Sequence, residues 1–244
     1  MLQVSTYFYD IRPVSHDDSA AVRSGLQVEG MTGVVDDWKL YLILEYCHFT
    51  LSYATTANFL HRGEKPRVDM ILLLLLDMAK GMLYLHDHKI IHGDLKPENV
   101  LLKVDGQSPS RLVAKITDFG LAINLGPTAT HVSNISTGTP FYCAPEVPLN
   151  GRATQASDVF SFGVVMAEVC SKTPPWINVG GEFHVNPRFP NFGSDMPRAF
   201  ESLAMRCLQL DLTKRPGFQE IVSSLEGLHR MFREQELPRF RVAH

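Results

Sequence analysis

The sequence has few cysteines, no long apolar run and no marked excess of charge of either sign. Its four cysteines are scattered and form no Cys-x-x-Cys pair, so we expect neither a disulfide framework nor a structural zinc site. The longest apolar run, residues 70–76, has seven residues, whereas a membrane-spanning helix needs about 20. Residues 1–10 lack a basic region followed by an apolar stretch, so no secretory signal is expected. These absences favour a reduced, cytoplasmic protein without a membrane span.

The composition is that of an ordinary globular protein. Of the 244 residues, 45% are hydrophobic and 20% are charged, so wholesale disorder is not expected and the chain can form one large domain or two small ones. Lys and Arg number 23 and Asp and Glu number 26, which gives a formal net charge of -3. This balance provides no general attraction to nucleic acid, and we expect no nucleic-acid partner.

Hydrophobic periodicity predicts a strand-like first fifth followed by a mainly helical remainder. Helices are predicted at residues 68–88, 157–171, 196–210 and 216–235. Strands are predicted at residues 38–46, 100–104 and 112–117, the last two joined by a hairpin loop at residues 105–110. Residues 177–194 are rich in Gly, Pro and Asn and show no helical pattern.

Five polar motifs follow one another in a fixed order. They are His92-Gly93-Asp94-Leu-Lys96-Pro-Glu-Asn99, Asp118-Phe119-Gly120, Gly138-Thr139-Pro-Phe-Tyr-Cys-Ala-Pro-Glu146, Ser157-Asp158-Val-Phe-Ser-Phe-Gly163 and Lys214-Arg215-Pro216. Together they resemble the eukaryotic protein kinase domain over roughly residues 28–232. The resemblance is to the serine/threonine type, in a tyrosine-kinase-like or plant/algal-type branch, with Gly93 in place of the usual catalytic-loop Arg.

The resemblance implies an α+β, protein-kinase-like fold with a mainly helical lower lobe and a small, incomplete β-rich upper lobe. The expected boundaries are a partial upper lobe at residues 1–44, a hinge at 45–50, the lower lobe at 51–236 and a tail at 237–244. A complete upper lobe needs about 55 to 65 residues, and only 44 residues precede Glu45. We therefore expect a truncated upper lobe.

Four polar residues match the requirements of phosphoryl transfer, which needs metal ions, a group that orients the attacking hydroxyl and a cation near the transferred phosphoryl group. The resemblance implies that Asp94 orients the hydroxyl and that Lys96 neutralises the γ-phosphate. Carboxylate and amide oxygens suit Mg²⁺, and the resemblance assigns Asp118 and Asn99 to the metal ions. The alternative is that Asp94, Lys96 and Asn99 are ordinary loop residues, since such residue types favour turns.

Other residues receive structural or nucleotide-binding roles from the resemblance. His92, Phe119 and Gly120 would pack within the lobe, and Asp158 would hold the catalytic loop through backbone amides. Glu146 and Arg215 would form a buried ion pair, or alternatively be surface charges. The Glu45 carbonyl and the Cys47 amide would pair with adenine and Leu101 would pack beneath it, although a plain buried strand is the alternative.

Lys96 and Thr139 resemble the residues that serine/threonine kinases carry at these positions, and Thr139 is expected to hydrogen-bond near Asp94 and Lys96. The expected activity is transfer of the ATP γ-phosphate, with Mg²⁺, to serine or threonine hydroxyls of a protein substrate. A pseudokinase that acts as a scaffold is the first alternative. A nucleotide-binding module or small-molecule kinase of the same fold is the second, and the segment at residues 138–146 argues against it. The oligomeric state leaves no trace in the sequence.

Three departures from the family pattern affect these expectations. Gly93 replaces the usual Arg, so a phosphate clamp on the activation segment is missing, and glycine is expected to loosen the loop backbone. No Gly-x-Gly-x-x-Gly or Val-Ala-x-Lys sequence precedes Glu45, where Lys39 is the sole lysine. We therefore expect weak nucleotide binding and impaired turnover for this chain. The family's substrate-docking helix is expected to be short or missing within residues 177–194.

Overall fold

The computed structural model describes residues 9–13, 38–42, 45–126, 129–133 and 138–236. These residues divide into two compact units, one ending at Tyr46 and the other beginning at Cys47. In the first unit, strands β1 (Tyr9–Pro13) and β2 (Trp38–Leu42) form an antiparallel pair. The remaining residues of the expected partial upper lobe and the tail at 237–244 lie outside the described residues. Strand β2 ends at Leu42, and residues 45–48 have no regular structure, so the predicted strand was too long.

The second unit is mainly helical with short strands, which confirms the α+β prediction. Its helices are α1 (Leu51–Thr56), α2 (Val68–Asp87), α3 (Glu146–Asn150), α4 (Gln155–Ser171), α5 (Arg198–Cys207) and α6 (Phe218–Glu236). Its strands are β3 (Phe49–Thr50), β4 (His61–Arg62), β5 (Lys65–Pro66), β6 (Ile90–Ile91), β7 (Val100–Val104), β8 (Leu112–Ile116), β9 (Ile123–Asn124), β10 (Trp176–Val179) and β11 (Glu182–Val185). Three 3₁₀ turns cover Pro97–Asn99, Phe119–Leu121 and Leu212–Lys214.

Helices α2 and α4 form the centre of the hydrophobic core, which also receives residues of α5 and α6. The predicted helix at 68–88 is confirmed and ends one residue earlier, at Asp87. Helix α4 begins two residues before its predicted start because the Thr154 side chain accepts the Ser157 N–H and the Ser157 side chain accepts the Thr154 N–H. A Cβ at Gly163 would lie 2.8 Å from the Cβ of Cys207, so this glycine allows α4 and α5 to pack closely. Among the helices of the described residues, none combines the length and the apolar character of a membrane span.

The predicted hairpin is present as strands β7 and β8, and its register positions two of the candidate site residues. Val100 pairs with Ile116 and Val104 pairs with Leu112, while β3 pairs with the other edge of β7. The residues that flank this end of the hairpin are also joined, because the Thr117 N–H donates to the Asn99 carbonyl at 3.0 Å. Asn99 and the segment that begins at Asp118 therefore leave the hairpin side by side.

The segment before α5 differs from the prediction in one respect. As expected, residues 177–194 contain no helix, but strands β10 and β11 form an antiparallel hairpin there that the sequence analysis did not predict.

Helix α5 is shorter than its predicted span of 196–210. The backbone at Pro197 is extended, with ψ of 135°, so the helix cannot include Met196.

Candidate active site

The loop that follows β6 is held by a buried carboxylate of helix α4. Asp158 is 1% exposed, its Oδ2 accepts the His92 N–H at 2.9 Å and its Oδ1 accepts the Gly93 N–H at 2.9 Å. His86, in the last turn of α2, places its Nε2 2.8 Å from Oδ2 of Asp158. A buried carboxylate without such partners would be strongly destabilising. The backbone contacts expected of Asp158 are present, whereas the contact with His86 was not predicted.

Gly93 has a backbone conformation that favours glycine. Its φ is +79°, and a Cβ added to it would lie 2.9 Å from the carbonyl oxygen of Leu121. Both observations make a side chain unfavourable at this position. The expected loosening of the loop is opposed by the hydrogen bond from the Gly93 N–H to Asp158.

Asp94 is buried, and its carboxylate accepts four hydrogen bonds. Oδ1 accepts the Thr139 N–H at 2.9 Å and the Thr139 hydroxyl at 2.7 Å. Oδ2 accepts from Nζ of Lys96 at 2.9 Å and from Nδ2 of Asn99 at 3.0 Å. The contact expected between Thr139 and Asp94 is therefore present, and Asp94 is joined to three of the predicted site residues.

The surroundings of Asp94 keep its carboxyl group ionised. Burial by itself would raise the pKa of Asp94, but the hydrogen bonds from Thr139 and Lys96 outweigh it and hold the pKa below its ordinary value. An ionised carboxylate can accept a proton or orient a hydroxyl group, which is the chemistry that a general base requires.

Lys96 retains donor capacity after its contacts within the loop. Its Nζ donates to the Thr139 hydroxyl at 2.6 Å and to Asp94. An ammonium group has three N–H donors, so one remains for a further acceptor. Because the side chain is 20% exposed, an anion can approach this donor from solvent.

Asn99 and Asp118 provide two oxygen donors of the type that Mg²⁺ prefers. Nδ2 of Asn99 donates to the carbonyl and to Oδ2 of Asp94, and no described residue donates to its Oδ1. Asp118 is exposed, and its side chain accepts a hydrogen bond from Gly120 N–H, within its own turn. No cluster of three or more His, Cys, Asp or Glu side chains suited to a metal occurs among the described residues. The pair fits Mg²⁺, because this ion commonly binds one or two protein ligands together with water and phosphate oxygens.

The segment after β8 packs against the catalytic loop through aromatic and polar contacts. The ring centroids of His92 and Phe119 lie 5.5 Å apart. Nε2 of His92 is 3.0 Å from the Thr117 carbonyl, and its Nδ1 is 3.2 Å from the Asp94 amide nitrogen. These contacts are satisfied together when Nε2 carries the proton and Nδ1 accepts. His92 therefore links Asp94 to the segment that carries Asp118.

Glu146 and Arg215 form a buried, bidentate ion pair. The two guanidinium nitrogens donate to the two carboxylate oxygens at 2.7 and 2.9 Å, and the Ser157 hydroxyl also donates to Glu146. Burial alone would raise the pKa of Glu146, but the hydrogen bonds from Arg215 lower it overall. Both residues are 8% exposed, so the alternative of two surface charges is wrong.

Of the three residues expected to contact adenine, one lies in a strand and two lie outside regular secondary structure. Leu101 lies in β7, opposite Thr50 of β3. Glu45 and Cys47 are half-buried in a segment without regular structure, and they fall in different units. The strand alternative for residues 45–48 is therefore wrong, and the adenine contacts stay a prediction.

One half-buried acidic group, Glu168 of α4, was not predicted. The Tyr142 hydroxyl donates to Oε2 of Glu168 at 2.7 Å. Burial is the main reason that the pKa of Glu168 is raised to about 7; the hydrogen bond from Tyr142 opposes this rise and the negative charge of Glu98 adds to it. A glutamate among the apolar residues of a buried helix was the available sequence signal.

Comparisons with known proteins agree with this geometry. The family described as "Protein kinase domain" matches residues 28–225. A probable LRR receptor-like serine/threonine-protein kinase from Arabidopsis thaliana is 32% identical over 220 residues, which cover 81% of this chain and 22% of the relative. Dual specificity testis-specific protein kinase 2 from Rattus norvegicus is 33% identical over 179 residues, which cover 69% of this chain and 30% of the relative.

Human mitogen-activated protein kinase kinase kinase 7 is 34% identical over 204 residues, which cover 78% of this chain and 31% of the relative. The chain thus spans less than a third of the length of these three relatives. Protein kinases generally use ATP together with Mg²⁺. The family match covers most of the chain, and the chain therefore belongs to the protein kinase family.

Proposed function

We propose that this chain is the catalytic portion of a serine/threonine protein kinase, which transfers the γ-phosphate of ATP to a protein hydroxyl. The observation that carries the proposal is the cluster around Asp94, in which a buried, ionised carboxylate contacts Lys96, Asn99 and Thr139 directly. Loop residues without a shared function would not need to converge on one carboxylate.

In the proposed reaction, the oxygen of a serine or threonine hydroxyl forms a bond to the γ-phosphorus and the bond from phosphorus to the β–γ bridging oxygen breaks. The hydroxyl proton passes to the carboxylate of Asp94, and ADP leaves with the electron pair of the broken bond. Because all four hydrogen bonds to Asp94 come from protein donors, one donor must yield its place or share it with the hydroxyl. Lys96 is suited to this exchange, since its flexible ammonium can turn from Asp94 towards a phosphate oxygen.

One Mg²⁺ ion would be held by the carboxylate of Asp118 and a second by Oδ1 of Asn99. When bound, these ions would screen the phosphate charge during transfer. The hydrogen bonds from Nδ2 of Asn99 to Asp94 orient the amide so that its oxygen is left for the second ion. In the same proposal, the Glu45 carbonyl and the Cys47 amide pair with adenine and Leu101 packs beneath it.

The proposed substrate is a serine or threonine residue of a protein. Lys96 and Thr139 support this class, because their direct contact at 2.6 Å builds both side chains into the site. The relative from Arabidopsis thaliana is named as serine/threonine-protein kinase. A relative from Rattus norvegicus is named as dual specificity, so substrate peptides should present serine, threonine and tyrosine separately.

A partner-binding protein without phosphoryl transfer is the second candidate. It is favoured by a specific feature of the sequence, since no Gly-x-Gly-x-x-Gly or Val-Ala-x-Lys motif precedes Glu45. Without the backbone N–H groups of the glycine-rich motif and the lysine of the second motif, the phosphates of ATP would have fewer ligands. We therefore expect weak ATP affinity and low turnover from this chain.

Transfer of radiolabelled phosphate from ATP to a protein substrate or to the chain itself tests the proposal. Asp94→Asn should lower the rate by about 10²–10⁴-fold, the usual contribution of a general base. Asp195→Asn is the matched control, because Asp195 is exposed and lies outside the site, and it should leave the rate unchanged. If the chain transfers no phosphate even after fusion to a complete kinase upper lobe, the partner-binding candidate is favoured instead.

A further inference from the structure

The hairpin formed by β10 and β11 presents an unusually exposed strand. Every residue from Asn178 to Val185 is exposed. The apolar side chains of Phe183 and Val185 are 58% and 72% exposed. Exposed edges are normally protected by short strands, charged side chains, Pro or a bulge. Strand β11, Glu-Phe-His-Val, is short and has one acidic residue, but it has no Lys or Pro and every second residue is apolar.

The register of the hairpin shows which backbone groups of β11 face outward. The Asn186 N–H donates to the Pro175 carbonyl at 2.9 Å, so this pair is hydrogen-bonded within the hairpin. Hydrogen-bonded and non-hydrogen-bonded pairs alternate in an antiparallel ladder. The N–H and carbonyl groups of Phe183 and Val185 therefore point to the outer edge, where no other strand of the described residues pairs.

We propose that β11 pairs with β11 of a second copy of this chain, antiparallel, about a two-fold axis that passes beside His184. In this register Phe183 lies opposite Val185 of the other copy, and the reciprocal pair forms by symmetry. All outward N–H and carbonyl groups of Phe183 and Val185 are then paired, which gives four hydrogen bonds and a four-stranded sheet. A two-stranded hairpin alone is marginal in water, whereas a four-stranded sheet can bury one face.

The side chains of β11 are self-complementary in this register. On one face, Trp176 and Phe183 of a copy already contact each other, with ring centroids 5.0 Å apart. Val185 of the second copy would extend this apolar surface. On the other face, Glu182 and His184 lie 3.8 Å apart within one copy, and Glu182 would also lie diagonally opposite His184 of the second copy. The two His184 side chains would face each other at the symmetry axis, with a Glu182 diagonal to each.

A second copy explains these features better than an unrelated peptide, because Phe183 finds Val185 opposite it and Glu182 finds His184 diagonally across, all within the same four-residue strand. The paired segment is short, however, and interfaces of this size are weak. We therefore expect dissociation constants in the micromolar to millimolar range. The surface is separate from the active site, and its test does not depend on phosphoryl transfer.

Cysteine cross-linking of the full chain tests the register. At the axis, His184 faces its own symmetry mate in a non-hydrogen-bonded pair with Cα atoms about 4.5 Å apart, which is within the range of a disulfide. His184→Cys should therefore form a disulfide-linked dimer under mild oxidation. Glu182→Cys is the matched control, because it lies on the same exposed face but roughly 14 Å from its symmetry mate. The wild-type chain accounts for the background of the native cysteines.

We expect His184→Cys to cross-link about tenfold faster than Glu182→Cys, as the disulfide geometry requires. Equal rates would reveal random collision and overturn the proposal, and faster cross-linking of Phe183→Cys would overturn this register. Sedimentation of the wild-type chain from about 1 µM to about 1 mM should show a monomer–dimer equilibrium. A strict monomer throughout this range would also overturn the proposal.

Val185→Pro removes an outward N–H that the hairpin itself does not use, and proline is tolerated at such edge positions. This variant should abolish association without changing the far-UV circular dichroism. Val185→Lys, which repels a second edge, serves the same purpose if the proline variant misfolds. Unchanged association of a folded variant of either kind would overturn the proposal.

Discussion

Replacing Gly93 by alanine should destabilise the protein and displace the segment that carries Asp118. The left-handed backbone of Gly93 costs a residue with a side chain about 1–2 kcal/mol. The new Cβ would also lie 2.9 Å from the Leu121 carbonyl oxygen, and overpacking of this kind adds about 1–3 kcal/mol. The expected loss of unfolding free energy for Gly93→Ala is therefore about 2–5 kcal/mol.

Gly63→Ala is the matched control for this prediction. Gly63 also has a left-handed backbone, with φ of +64°, but a Cβ added there would have no neighbouring atom within 4 Å. Its alanine variant should lose only the backbone contribution of about 1–2 kcal/mol. The difference between the two variants thus isolates the contact with Leu121.

Urea unfolding of the two variants and the wild type, followed by circular dichroism, measures these losses. The midpoints should shift while the denaturant slope stays constant, because the surface exposed on unfolding hardly changes. Leu121 directly follows Asp118-Phe119-Gly120, so Gly93→Ala should also reduce phosphoryl transfer, whereas Gly63→Ala should not. Equal stability losses for the two variants would refute the proposed contact between Gly93 and Leu121.

Two further predictions concern Glu168 and the Glu146–Arg215 ion pair. The folded-state pKa of Glu168 is raised from 4.5 to about 7, so the stability that Glu168 contributes is complete below pH 4.5 and is lost as pH rises through 7. Glu168→Gln does not titrate, and its unfolding free energy relative to wild type should therefore rise by about 3 kcal/mol between pH 4.5 and pH 8. Parallel curves of unfolding free energy against pH, measured by urea titration, would contradict this. Arg215→Met should cost about 3–5 kcal/mol by leaving Glu146 buried without its cation. The double variant Glu146→Gln, Arg215→Met should recover part of this loss in the same titration, and a fully additive double variant would argue against a coupled pair.

The parts of the fold that the sequence predicted are those with a strong local pattern. Helix α2 was placed within one residue because its apolar positions extend to a clear end near His88. The β10–β11 hairpin was missed, although Gly180 and Gly181 lie between alternating apolar residues, which is a recognised turn signal. The surrounding prolines and asparagines obscured it. Two-residue strands such as β6 and β9 have no sequence pattern, because their pairing is decided by tertiary contacts.

The sequence predicts the contacts within one loop of the candidate site better than the contacts between segments that are distant in the chain. The contacts of Asp94 with Lys96 and Asn99 are local, since a 3₁₀ turn ends at Asn99 five residues later. The contact with Thr139 could be expected only from the family pattern. The close approach of Gly93 to Leu121 has no sequence signature, because the two residues are distant in the chain and meet only through packing.

Residues 92–96 have no regular secondary structure, so their conformation must be fixed from outside. Asp158 does this by accepting the N–H groups of two consecutive residues, His92 and Gly93, from a buried position on α4. Glycine alone would allow this backbone many conformations, but the hydrogen bond to its N–H selects the left-handed one. The geometry at Asp94 is thus set by helix α4 and not by the stiffness of the loop, and for this reason a glycine at position 93 is compatible with an ordered active site.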